Sequence, residues 1–103
     1  MIHPNKLMKF KPAKTKNYRR LERIVKGFAN HRRIQILELL QKEPELSVFE
    51  ISDRLNINFK TASGHIHRLE IAGLVMKRSQ GLCVRHKLTD RATSILKFLR
   101  ILE

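Results

Sequence analysis

Within nine residues, Lys60, Thr61, Ser63, His67 and Arg68 supply cationic, hydroxyl and imidazole groups. These groups bond phosphate oxygens and base edges. Asn58 stands just before them and Gly64 among them. Ala62, Ile66 and Leu69 are spaced four and three apart, so they share one helical face and bury it. Lys60, Gly64 and His67 then lie about half a turn away, flanked by Ser63 and Arg68, on a face without an acid. A glycine inside a helix costs about 1 kcal/mol relative to alanine. Close approach to a base or backbone would compensate for it. A second group of bases, Lys77, Arg78, Arg85 and Lys87, follows on two short segments around Gly81. Alternation along a strand exposes some of them to phosphates or a minor groove.

No other constellation supports chemistry. The nine acids are scattered among bases, and there is no Ser/His/Asp or Cys/His set, phosphate-binding glycine loop or zinc-ligand spacing. An enzyme is not expected, nor a cofactor. His65 and His67 are two apart on a helix, so they point to different sides and share no metal. His67 is expected to face DNA and His65 a helix–helix interface. His31 and His86 are read as surface residues. Cys83, the single cysteine, excludes an intrachain disulfide, fits a reducing compartment, and reads as a small buried apolar residue.

The elements that must position these residues are legible along the chain. Residues 1–16 are Lys-rich, contain Pro4 and Pro12, and read as a basic arm; residues 17–103 read as one small domain. Tyr18, Leu21, Ile24, Val25 and Phe28 mark a first amphipathic helix, interrupted at Gly27–Asn30. Asn30 caps a second helix containing Ile34, Ile36, Leu37, Leu39 and Leu40, which Pro44 ends. Ser47 and Glu50 have capping-box spacing and open a short third helix with Val48, Ile51 and Leu55 inward. Asn56-Ile57-Asn58 is the turn, and the fourth helix runs from about Phe59 to Ala72, closed by Gly73 in a left-handed conformation. Leu74–Arg78 and Cys83–Leu88 are strands joined at Ser79-Gln80-Gly81. Thr89 caps a last helix with Ala92, Ile95, Leu96, Leu99 and Leu102 on its apolar stripe. The fold class is mainly α with a small β-hairpin, a winged helix-turn-helix.

Charge points the same way. Lysine and arginine number 22 against 9 acids, giving +13, and Met1–Arg20 holds seven bases with no acid. A polyanionic partner follows. The absence of Trp and the single Tyr speak against stacking on single strands. No run reaches signal-peptide or transmembrane length, so a soluble, cytoplasmic, nucleoid-associated protein is expected.

Three stretches resemble the ArsR/SmtB-like family of winged-helix repressors. Phe28–Leu37 is similar to that family's opening of the second helix. Leu55–Val75 follows its recognition-helix pattern through Ala72-Gly73-Leu74-Val75. Gly81–Thr89, GLCVRHKLT, is similar to its wing. The resemblance implies a homodimer paired through first and last helices, here Leu21, Ile24, Val25, Ile95, Phe98, Leu99 and Leu102, on an imperfect palindrome of double-stranded DNA. The alternative is that these residues close the monomer core. The family's metal sensors often carry cysteines at the start of the third helix. This chain has Leu46-Ser47-Val48-Phe49-Glu50 there, and its last helix has Asp90, Glu103 and no His, so no metal site is expected. The expected function is a homodimeric, sequence-specific repressor. Two other readings stand beside it: a DNA- or RNA-coating nucleoid-type protein using charge alone, and a winged-helix protein-interaction adaptor.

Overall fold

The computed structural model describes residues 9–103. The first half of the expected arm, residues 1–8, lies outside the described residues, and residues 9–16 are exposed and form no helix or strand. Five helices and one antiparallel hairpin follow in the order α1 (Tyr18–Phe28), α2 (His31–Lys42), α3 (Val48–Leu55), α4 (Phe59–Ile71), β1 (Val75–Gln80), β2 (Cys83–Leu88) and α5 (Asp90–Leu102).

Side-chain caps set each helix start. Asn17, Asn30, Asn58 and Thr89 each accept a backbone N–H from the first turn of the helix they precede, and Ser47 with Glu50 closes a full capping box. The ends are equally local. Gly73, at φ +72°, donates its N–H to Glu70 O while Leu74 donates to Leu69 O, a Schellman closure of α4. Asn56, at φ +52°, does the same work between α3 and α4, with Ile57 N–H on Ser52 O.

The core joins Ile36, Leu37 and Leu40 of α2, Ile51 of α3, Ala62, Ile66 and Leu69 of α4, and Ala92 and Leu96 of α5. Leu46, Ala72, Leu74 and Val75 complete it. The expected interruption falls within Gly27–Asn30, where α1 ends at Phe28 and Asn30 caps α2. Gly27 is the penultimate residue of α1, buried, and a Cβ there would collide with that of Ala72, so the glycine also lets α1 and the end of α4 touch.

The hairpin also differs from expectation. Gln80 pairs with Cys83 and Ser79 with Val84, so the strands run to the tip and the turn is Gly81-Leu82. Gly81 has φ +60°, as a glycine-first two-residue hairpin requires. Leu46 bridges His86 on the far side of β2, while the outer edge of β1 has no strand partner among the described residues.

Candidate nucleic-acid interface

Asn58 accepts the N–H groups of Lys60 and Thr61, so its side chain serves first as the N-cap of α4. Beyond it, Lys60, Thr61, Ser63, Gly64, His67 and Arg68 are all exposed on α4, and Ala62, Ile66 and Leu69 are buried beneath them. A Cβ on Gly64 would meet nothing within 4 Å, so packing inside the protein does not require this glycine. The one acid of α4, Glu70, is half-buried on the flank of this face and paired with Lys77 Nζ at 3.2 Å. The face is therefore donor-rich from Lys60 to Arg68, with exposed Ile71 continuing it at the C-terminal end, and the +0.5 end of the helix dipole lies at its start.

The wing bases divide by role. Lys77 is tied to Glu70. Arg78 and Arg85 face each other across the strands, a like-charge pair that is unfavourable by itself. Glu45 reconciles them: its carboxylate accepts from Arg78 at 3.0 Å and its carbonyl from Arg85 at 2.9 Å. Glu45 adopts φ +70°, a conformation that costs about 1 kcal/mol or more away from glycine. That turn brings its N–H onto His86 O at 2.9 Å. Arg85 also donates to Gln80. Lys87 is exposed and enters no ion pair among the described residues.

His86 is not a surface residue. It is 1% exposed, and its Nδ1–H donates to Leu46 O at 2.9 Å. The bridge from Leu46 covers it, and that contact spans 40 positions of sequence. Cys83 is likewise not buried; near the hairpin tip it is exposed. His65 does sit between helices. Its Nδ1 accepts from Arg33 Nε at 3.1 Å, and burial first, then the neighbouring Arg33 charge, push its pKa below 6.5. Arg33 also donates to Lys26 O and Gly27 O, so one guanidinium joins the end of α1 to the middle of α4. On the first and last helices, Leu21, Val25, Phe98 and Leu102 are exposed, whereas Ile24 and Ile95 are partly buried against the core and Leu99 is half-buried. Among the described residues, no cluster of His, Cys, Asp or Glu could hold a metal, and no helix is long and apolar enough to cross a membrane.

Residues 30–76 match the family model described as winged helix-turn-helix DNA-binding. The chain is 31% identical over 83 residues to an HTH-type transcriptional regulator of Methanocaldococcus jannaschii, covering 80% of this chain and 93% of that one. It is 39% identical over 67 residues to the transcriptional activator HlyU of Vibrio cholerae, covering 65% of this chain and 61% of HlyU's length. The solved HlyU structure superposes with a TM-score of 0.73 at 34% identity, over 85% of this chain and 96% of that one. A homodimeric winged helix-turn-helix DNA-binding domain from Mycobacterium bovis, described as a possible ArsR-family regulator, superposes with a TM-score of 0.78 at 26% identity. That match covers 90% of this chain and 88% of the other.

Proposed function

Since this chain belongs to the ArsR/SmtB-like winged helix-turn-helix transcriptional regulators, we propose that it is a homodimeric, sequence-specific repressor acting on the nucleoid without a metal effector. Each subunit lays α4 in a major groove, where Lys60 and Arg68 take phosphate or guanine and Thr61, Ser63 and His67 complete the readout. Gly64 lets the backbone approach closely. Lys87 and the free donors of Arg78, Arg85 and Lys77 brace the adjacent backbone, and the basic residues 1–16 add phosphate contacts. The single observation that carries this reading is the exposed outward face of α4, where Lys60, Thr61, Ser63, His67 and Arg68 stand together and the helix's one acid is paired with Lys77.

Dimerisation is supported by Leu21, Val25, Phe98 and Leu102, apolar side chains left exposed on α1 and α5. The M. bovis neighbour, described as homodimeric, supports a homodimer. Two half-sites related by a twofold axis then make an imperfect palindrome. Repression follows from occupancy alone, since a protein seated on an operator excludes polymerase with no further surface.

The test is a titration of the purified protein against its own upstream DNA and a shuffled duplex across salt. A preference of about 1000-fold or more at physiological salt is expected of a specific reader. Equal binding that collapses with salt would identify a charge-driven coating protein. Absence of binding at low salt would identify a protein adaptor.

A further inference from the structure

At the C-terminal end of α4, a cleft of about 450 Å³ opens where α1, the end of α4 and the start of α5 meet. Six bases line it: Arg20, Arg23, Lys26, Arg33, Arg68 and Arg91. No acidic side chain is among the described residues that line it. Half-buried Ile24 and exposed Ile71 add apolar surface to its lining.

Part of this charge has a structural task. Arg33 donates to the last carbonyls of α1, and Arg91 donates to Ala72 O at the end of α4 at 3.0 Å. Both complement the negative ends of helix dipoles. Lys26 is paired with Glu22 at 3.3 Å. Those roles account for three of the six. Arg20, Arg23 and Arg68 have no carboxylate partner among the described residues. Three surplus guanidinia around one concavity repel each other until an anion joins them, and guanidinium forks match phosphate oxygens two at a time. Bases scattered for solubility alone would spread over convex surface; here they line a concave one together with two isoleucines, as in a small-molecule site.

We propose that this cleft binds an oxyanion of the phosphate class, held by Arg20, Arg23 and Arg68, with the compact apolar part of an organic phosphate on Ile24 and Ile71. Arg68 belongs to both this cleft and the outward face of α4, so an occupant here touches the recognition helix at its C-terminal end. The binding itself does not depend on α4 reading DNA.

Calorimetric titration of the full chain with inorganic pyrophosphate tests it. The expected result is one site per protomer, weakened about tenfold or more in Arg20→Gln/Arg23→Gln, since each charge-assisted hydrogen bond is worth that much. The charge-matched variant Lys42→Gln/Lys97→Gln, at two exposed lysines outside the cleft and the α4 face, should bind pyrophosphate as the parent does. Both variants alter exposed side chains, and circular dichroism verifies their folding. Loss of binding to the same degree in the two variants, or no saturable site in the parent, overturns the proposal. Duplex binding by Arg20→Gln/Arg23→Gln then separates the sources of the anion. An unchanged affinity and salt slope assigns the cleft to a small phosphorylated molecule. A shallower slope, by about one phosphate per lost arginine, assigns it to the DNA backbone.

Discussion

Gly64 and His65 are neighbours with opposite tasks. Gly64 weakens its helix where no neighbour needs the space. Gly64→Ala should therefore stabilise the protein by up to about 1 kcal/mol, raising Tm by roughly 4–8 °C. The same substitution should lower affinity for the operator. A methyl that stabilises the fold and leaves DNA binding intact would remove close approach as the reason for the glycine. His65 accepts a hydrogen bond only while Nδ1 is deprotonated, and burial with the Arg33 charge holds its pKa below 6.5. The unfolded chain binds this proton more readily. Stability contributed here is complete above the unfolded value and is lost as pH falls through the lower folded one. Urea unfolding between pH 7.5 and 5 should show that decline, and His65→Gln should flatten it relative to the parent. These two residues also mark how far sequence carries. The outward placement of Lys60, Gly64 and His67 follows from helical period alone. The Arg33–His65 contact does not, because its partners stand 32 positions apart.

At the scale of the elements, the caps were readable because each is written within four residues: Asn30, Ser47 with Glu50, Gly73 and Thr89 all perform as their types dictate. What escaped depends on chain segments meeting from a distance. His86 reads as a wing residue until the Leu46 segment crosses β2 and covers it. Gly27 reads only as part of the break between α1 and α2 until Ala72 is seen against it. The packing of α1 on α4 makes a definite prediction. Gly27→Ala should destabilise by about 1–3 kcal/mol through overpacking, measured by urea denaturation. Ala72→Gly in the same chain should recover much of that loss, giving a coupling energy well above the additive expectation. Simple additivity would mean that the two elements relax apart.

For the molecule as a whole, composition announced a polyanionic partner, yet not how the charge is divided. Three of the four wing bases are committed to Glu70 and Glu45, so the hairpin is braced by part of the charge that marks it as basic. The apolar residues left outside the core are concentrated on α1, α5 and the wing. Phe98→Glu/Leu102→Glu should leave the monomer folded, since these side chains are 53% and 65% exposed. Sedimentation should then report a single protomer, and duplex affinity should fall about 100-fold or more as the two half-sites lose their linkage. Sedimentation as a dimer would place the interface elsewhere. The open edge of β1 carries one last consequence. An unpaired strand edge is a template on which another chain can zip, and proteins guard such edges with charge. Met76 and the fully exposed Leu82 at the tip would favour that zipping, while Lys77 and Arg78 oppose it. With Lys77 and Arg78 already paired to Glu70 and Glu45, colloidal stability of the free protein rests on the repulsion of its whole net charge of +13. Concentrated stocks should stay clear in dilute buffer and turn turbid as added salt screens that repulsion.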